Sequence, residues 1–398
     1  MSVAHLGMVG PAVPREFAEF LDGRPAPESL PAGLGGSPVN LLTRELLRRG
    51  YRISLFTLDP AVSKPLLLRG PQLTIHVGPY RARARHRALD FFAAERRFLS
   101  DAIRAERPEI LHAQWAYEFA LPSQASGIPN VITAHDAPIN VLQLDPSPYR
   151  LIRTMMAYRV LSRARRVVGV APYVVEHLRR FMLYRGVDQA IPNGMPESLF
   201  ARRNGPRPPD GRLVFATILV GWAGRKNGQI AVEAFAKLRL QVPQARLLMF
   251  GAGHGAGEDA QAFANEQGWA EGIDFVGAIP HARLLERLVQ DVDVLLHPAL
   301  EEAQPMALIE AMSLGIPVIA GEKAGGVPWT LDGGKAGRLV DVTSAAAVEA
   351  ALLEFATQPE LMAQFGRAGR QLAERRFHIR AVADAYEPIY GELMRGGA

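Results

Sequence analysis

The sequence predicts an α/β protein built from two doubly wound parallel-sheet lobes facing a cleft. Three observations carry that prediction. Short, branched apolar runs such as 53–58, 131–134 and 292–296 alternate with helical patterns along the chain, as buried parallel strands joined by crossover helices do. Glycine-rich turns follow several of these runs, at Gly35-Gly36, Gly221–Gly228 and Gly251–Gly257. A polar, proline-rich stretch without periodicity, Arg202 to Gly211, interrupts the pattern near mid-chain, and 398 residues at 48% hydrophobic content suffice for two cores. The expected division is a first domain over 1–200, a hinge over 201–211, a second domain over 212–375 and a terminal helix over 376–398.

Composition narrows the function classes. The chain has no cysteine, which excludes disulfides, thiolate metal sites and cysteine nucleophiles. Its first ten residues lack a basic leader and read as a strand, and no apolar run approaches the roughly 18 residues of a membrane span. The expected location is therefore cytoplasmic. Net charge is +5, yet residues 1–210 hold 28 Lys+Arg against 18 Asp+Glu while the remainder holds 17 against 22. A basic first half suits an anionic surface. No nucleic-acid reading motif accompanies it, and no metal-ligand cluster is evident, so neither nucleic acid nor a metal is expected.

In chain order, the first strand leads into a Pro/Gly-rich loop ending Gly33-Leu34-Gly35-Gly36-Ser37-Pro38. Ser37 is expected to cap a helix with Pro38 in its first position, Val39, Leu42 and Leu46 on one face, and Gly50 at its end. Gly35 and Gly36 thus lie where backbone can approach an anion above a helix start, although a plain tight turn reads the same way. Strands follow at 53–58 and 73–77. Arg81, Arg83, Arg85 and Arg87 then precede a helix near 88–106. Such a run is either a solvated face or a surface for anionic lipid headgroups, worth about 1 kcal/mol per side chain. With 40 Arg to 5 Lys in the whole chain, part of its density is compositional habit. Strands at 109–115 and 131–136 place His112 and His135 at carboxyl ends, where crevice-lining residues belong; a satisfied structural histidine is the plain alternative. A helix at 149–166, a strand at 167–171, a helix at 173–182 and Ile191-Pro192-Asn193-Gly194 complete the first half.

The second half opens with a strand at 213–220 and the loop Gly221-Trp222-Ala223-Gly224-Arg225-Lys226-Asn227-Gly228. Amides and cations at such a turn suit two phosphates, and a solvated basic turn is the alternative. Gly251–Gly257 fits a dinucleotide loop only loosely, since no acidic residue ends a strand about 20 residues later. After strands at 273–276 and 292–296, a loop carries Glu301 and Glu302. A helix starts near Pro305, runs through Met306–Met312 and closes at Gly315, with a further strand from Pro317. Its first turn offers free N–H groups and a dipole for a pyrophosphate. Glu310 sits among apolar neighbours, where an unpaired carboxylate costs several kcal/mol (roughly) unless something such as ribose hydroxyls hydrogen-bonds it. Glu302, with seven residues between it and Glu310, can face the same crevice from the loop; two merely solvated glutamates are the alternative. Helical patterns occupy 344 to the end, the last expected to pack back onto the first domain, and no internal repeat appears.

Glu302 and Glu310, the Glu310-Ala311-Met312 segment, Gly315-Ile316-Pro317-Val318-Ile319-Ala320 and Gly325-Gly326-Val327-Pro328 together resemble the donor-binding signature of retaining glycosyltransferases of family 4. Ile191-Pro192-Asn193-Gly194 is similar to the segment that precedes their second domain. The resemblance implies the GT-B fold, two Rossmann-like domains facing a cleft. It implies that Glu302 contacts donor-sugar hydroxyls and Glu310 the nucleotide ribose, with Gln304, Pro305, Met306 and Ala307 at the phosphates and Ile279 near the base. It further implies Gly35 and Gly36 over the phosphates, Arg225 and Lys226 neutralising them, and His135 at the sugar with Asp136 as orienting neighbour. His112 and Trp115 would line the acceptor cleft. Two departures stand out: Ala303-Gln304-Pro305 replaces a Gly-Phe-Gly-like turn, and Trp222 occupies the family's usual Arg position. The implied reaction is metal-independent, cofactor-free transfer from a nucleotide-diphosphate sugar, with retention, to a sugar or lipid-linked sugar in bacterial polysaccharide or glycolipid synthesis. That acceptor would place the protein peripherally on the inner membrane face. A nucleotide-sugar epimerase and a non-catalytic nucleotide-sugar-binding subunit are the alternatives.

Overall fold

The structure, a computed structural model, describes residues 5–202, 212–222 and 224–396. The hinge expected over 201–211 lies almost entirely outside the described residues. The chain divides into two compact units, Met1–Gly194 with Ile379–Ala398, and Met195–His378.

The first unit is built on eight strands: β1 (His5–Val9), β2 (Arg52–Asp59), β3 (Leu66–Arg69), β4 (Leu73–Pro79), β5 (Ile110–Gln114), β6 (Asn130–Ala134), β7 (Arg166–Gly169) and β8 (Val187–Ala190). Their order is β3-β4-β2-β1-β5-β6-β7-β8. All neighbours are parallel except β3 with β4. β1 lies between β2 and β5, every residue buried, as an uninterrupted apolar strand must. The chain winds from β1 to one side and later from β5 to the other, so the carboxyl ends of β1 and β5 flank the switch point where ligands of such sheets bind. β3 and β8 went unread in the sequence. Both are four-residue edge strands, β3 with Leu66 and Leu67 exposed and β8 reading Val-Asp-Gln-Ala, so neither carries a buried apolar run.

Gly36, not Ser37, is the N-cap of the helix Ser37–Arg48, at φ 92. A Cβ on Gly36 would lie 2.2 Å from the Pro11 carbonyl oxygen, so both handedness and close approach demand glycine there. The helix Ile379–Gly396 completes this unit: Ile379, Val382, Ala383, Tyr386, Ile389 and Tyr390 join Leu6, Met8, Leu46 and Ile110 in one core.

The second unit holds β9 (Val214–Ile218), β10 (Arg246–Phe250), β11 (Ile273–Gly277), β12 (Val294–His297), β13 (Val318–Gly321) and β14 (Arg338–Val340). The order is β11-β10-β9-β12-β13-β14, all parallel. Its switch point falls between β9 and β12. The unit begins at Met195 rather than after residue 200, because Met195, Leu199 and Phe200 are buried with Leu372, Ala373 and Phe377. The Met195 N–H donates to the Phe377 carbonyl at 2.6 Å, closing the unit's two ends on each other.

Candidate active site: two strand-end constellations

In the second unit, the loops after β9 and β12 meet at the switch point. Asn227, in the left-handed conformation at φ 54, donates from its amide to the carbonyls of Pro298 (3.1 Å) and Val342 (2.8 Å). The Leu300 N–H returns a bond to the Arg225 carbonyl at 2.8 Å. These contacts bring the predicted cations onto the predicted carboxylates. Lys226 Nζ donates to Glu302 Oε1 at 2.5 Å, and Arg225 Nη1 lies 3.6 Å from Glu301 Oε2 and 3.7 Å from Glu302 Oε2. Arg225 also donates to the Glu301 carbonyl at 3.2 Å. The two cations therefore do not stand free to receive phosphates, as the sequence suggested. Half-buried charges at this depth need counter-charges, and Glu301 and Glu302 supply them.

Burial alone would raise the Glu302 pKa. The close approach of His297 and the charge and hydrogen bond of Lys226 outweigh it and hold the carboxyl at about 2. His297, last residue of β12 and 2% exposed, puts Nε2 3.5 Å from Glu302 Oε1. At that separation the contact is long, and neither ring nitrogen has a well-formed hydrogen bond.

The helix Met306–Ser313 starts one residue after the expected position, with Pro305 as its N-cap. Gln304 and Pro305 are buried, while Met306 and Ala307 are half-buried at the helix start. Glu310 is 6% exposed and is not bare: Oε1 accepts from His281 Nε2 at 2.8 Å. Half-buried Ile279 ends the turn after β11 that delivers His281, so Ile279, His281 and Glu310 are near neighbours. Trp222 packs edge-on against His254 and is tilted on Phe263, with ring centroids 5.5 Å apart in each pair. It fills a packing role, and its indole lies where a Cβ on Gly228 would stand 2.6 Å away.

In the first unit, His135 follows β6, is half-buried, and its Nε2 bonds Gln114 Oε1 at 2.7 Å. Burial lowers its pKa to about 4, so the ring is neutral at physiological pH. The side chain that holds it is Gln114; the expected orienting neighbour, Asp136, instead accepts from the Tyr117 hydroxyl at 2.6 Å. Trp115 meets His135 edge-on at 5.6 Å and holds φ 69, a strained conformation for an aromatic residue directly after a strand. His112 lines no cleft. It is fully buried on the same face of β5 as Gln114, saturated by Tyr390 and Thr133 at 2.8 and 2.7 Å. Gly35, at φ 79, faces open space, and Gly36 is half-buried beside it.

The arginine run is also redistributed. Arg81 donates to Glu95 and to both oxygens of Asp90, and Arg87 is buried, 4.0 Å over the Tyr80 ring and donating to the Arg81 carbonyl. Only Arg83 and Arg85 of the four are exposed.

Two β-α-β constellations at the switch points of two parallel sheets define a GT-B glycosyltransferase fold. Two family models divide the chain between them: Glycosyltransferase Family 4 over residues 39–199 and Glycosyl transferases group 1 over residues 217–372. The chain belongs to the group 1 glycosyltransferases of family 4 type. It is 30% identical over 195 residues to D-inositol 3-phosphate glycosyltransferase of Corynebacterium jeikeium, a match spanning 46% of each chain. Sucrose-phosphate synthase from Thermosynechococcus elongatus superposes with a TM-score of 0.77 at 20% identity, covering 99% of this chain and 100% of the other. Anabaena HepE in complex with UDP-glucose gives 0.67 at 14% identity, covering 98% and 99%.

Of the residues unmarked in the sequence, Glu301, His297, Asn227 and His281 border this chemistry. Each is polar and adjoins a predicted strand end or turn, which is the signal that would have found them.

Proposed function

We propose that the protein transfers a sugar, with retention of anomeric configuration, from a nucleotide-diphosphate sugar to an acceptor hydroxyl. The observation that carries this reading is the second unit's switch point, where a half-buried, ionised Glu302, the cations Arg225 and Lys226 and the start of the helix Met306–Ser313 converge beside Glu310. A similar fold seen with UDP-glucose supports a nucleotide-sugar donor. In this reading Glu310 holds the ribose through the carboxylate oxygen that His281 leaves open, Ile279 flanks the base, and Glu302 takes sugar hydroxyls. The helix-start amides and the outer N–H groups of Arg225 stabilise the departing nucleoside diphosphate. The sugar–oxygen bond to phosphate breaks, the acceptor oxygen bonds the anomeric carbon from the same face, and the acceptor proton passes to the leaving phosphate. In the first unit Gly35 and Gly36 offer backbone to phosphate, while His135, with Trp115 beside it, is assigned to sugar and acceptor contact. The helix-start amides and the outer N–H groups of Arg225 carry the charge a divalent ion would in this reading.

Calorimetry against nucleoside diphosphates, followed by transfer assays with the binding nucleotide's sugars and NMR of the product's anomeric signal, tests the reading. An inverted product removes retention; absence of any nucleotide-diphosphate binding removes the reading itself. Full activity in excess chelator is expected, and loss restored by a divalent ion refutes metal independence.

The surface suited to a membrane in this reading is wider than the arginine run. The helix Pro148–Leu161 exposes Leu151 (50%), Met155 (52%) and Tyr158 at i, i+4, i+7 spacing. The helix Ala84–Leu89 packs on it, and Leu89 is 78% exposed with Phe91 beside it. Exposed Arg83, Arg85, Arg159 and Arg163 accompany these apolar side chains. No helix among the described residues is long and apolar enough to cross a membrane. Apolar tips with arginines suit insertion at an anionic bilayer surface, where a lipid-linked acceptor resides. Co-sedimentation with phosphatidylglycerol vesicles should be lost in Leu151→Ser/Met155→Ser, and retention equal to wild type removes this surface from the reading.

A further inference from the structure

Behind His135 runs a buried polar chain that the transfer reading does not use. Gln114 Oε1 meets His135 Nε2 at 2.7 Å, and Gln114 Nε2 meets His112 Nε2 at 3.0 Å. His112 Nε2 also meets Thr133 Oγ1 at 2.7 Å, and His112 Nδ1 meets the Tyr390 hydroxyl at 2.8 Å. Thr133 Oγ1 in turn meets the Tyr386 hydroxyl at 2.9 Å. All the members behind His135 are buried, and both tyrosines come from the helix Ile379–Gly396.

Donor bookkeeping gives the chain one direction. A carbonyl oxygen only accepts, so His135 Nε2 carries the proton it shares with Gln114. The amide nitrogen of Gln114 only donates, so His112 Nε2 is bare, and His112 Nδ1–H donates to Tyr390. The Thr133 hydroxyl donates to the same bare nitrogen and accepts from Tyr386. This amide orientation also places an N–H 3.7 Å from the Met8 sulfur, a contact the flipped amide would lose. No other hydrogen bond to the His135 ring exists among the described residues, and its Nδ1 is not enclosed.

We propose that Tyr390, His112 and Gln114 form a positioning chain that fixes His135 in its Nε2-protonated tautomer, so that Nδ1 accepts a hydrogen bond from a ligand hydroxyl. A bare imidazole nitrogen rejects carboxylate and phosphate oxygens, which need donors, and selects neutral polyols. The inference deepens, and rests on, the assignment of His135 to sugar contact. The groups around the ring fit a neutral state. His112 and both tyrosines are held uncharged by burial, Asp136 is occupied by Tyr117, and Arg153 is paired with Glu118 at 2.5 Å. Burial keeps His135 itself from protonating until about pH 4.

The test is ¹⁵N–¹H correlation of the imidazoles in the unliganded full-length protein, with three chains compared. Wild type should show His135 protonated at Nε2, bare at Nδ1, and unchanged from pH 8 to 5. Gln114→Glu keeps an acceptor but adds charge that favours imidazolium. It should retain the tautomer while His135 begins to titrate inside that window, and transfer should acquire an acidic limb at the same pH. Gln114→Leu removes the acceptor; both tautomers should appear, and kcat should fall about tenfold, the size of one lost hydrogen bond, with donor KM within about twofold. A wild-type His135 protonated at Nδ1, or a Gln114→Glu spectrum that titrates like wild type, overturns the proposal. Spectra as expected in a protein that transfers no sugar would uphold the positioning chain and refute the sugar assignment.

Discussion

Glu302 keeps its charge at a depth where carboxyls ordinarily lose it. Burial works against ionisation, and His297 and Lys226 more than compensate, with the pKa held at about 2. The stability this contributes is complete above the unfolded value near 4.5 and is lost as pH falls through about 2. Replacing Lys226 with Met leaves that carboxylate and Arg225 to rebalance. We expect a loss of about 3 kcal/mol in urea unfolding, as for a broken buried pair, together with a Glu302 carboxyl ¹³C titration moved upward. An unmoved titration would show that Lys226 is not the partner that matters. At Glu310, Gln preserves the volume and an acceptor for His281 while removing charge. Glu310→Gln should fold as wild type and bind nucleoside diphosphate about tenfold more weakly by calorimetry; equal affinity would remove the ribose assignment.

At the scale of elements, the two glycines before Ser37–Arg48 separate two causes of glycine use. Both have positive φ, but a Cβ at Gly35 meets open space while one at Gly36 meets the Pro11 carbonyl at 2.2 Å. Gly35→Ala should cost only the left-handed penalty, about 1–2 kcal/mol. Gly36→Ala adds a backbone collision and should cost clearly more, read as the difference in denaturation midpoints; equal midpoints would contradict the geometry. Left-handed backbone also interrupts the helix that follows the arginine run. Phe91 and Phe92 are left-handed at φ 52 and 59, which breaks the expected single helix into Ala84–Leu89 and Ala93–Glu106. That break turns Arg81 toward Glu95 and Asp90 and buries Arg87 on Tyr80, leaving half of a supposed solvated face to solvent.

At the scale of the whole molecule, chain order and folding unit part company. Residues 195–378 carry their own sheet, and their ends are joined by the Met195–Phe377 bond, so this fragment should fold alone and retain nucleotide binding. Residues 1–194 lack Tyr386, Ile389 and Tyr390 from their core and should not fold without 379–398 supplied in cis or as a peptide. Circular dichroism and cooperative melting of the fragments check both expectations. The first unit should also be acid-sensitive early. Burial lowers His112, His135 and His177 to about 3, 4 and 4, so below the unfolded value of 6.5 the unfolded chain binds more protons. Its stability therefore falls steadily from pH 6.5 toward 4, whereas Glu302's contribution in the second unit is still intact there. Denaturation monitored unit by unit at pH 7 and 5 should separate the two.

The sequence by itself determined most strands, the fold class and the loops that carry Arg225, Lys226, Glu302, Glu310 and His135. Apolar runs, helical periodicity and glycine turns are written within a dozen neighbouring residues, and a parallel sheet places the turn after each strand at one edge. It did not reveal the two edge strands, which bury no continuous face. Only the tertiary structure decided who pairs with whom: Lys226 with Glu302 across 76 positions, His281 with Glu310 across 29, Tyr390 with His112 across 278. Such pairings depend on strand order and on which face each side chain takes. Those are set by the packing of the whole sheet, so a cation that reads as free in the sequence is already bound to its carboxylate once the chain has folded.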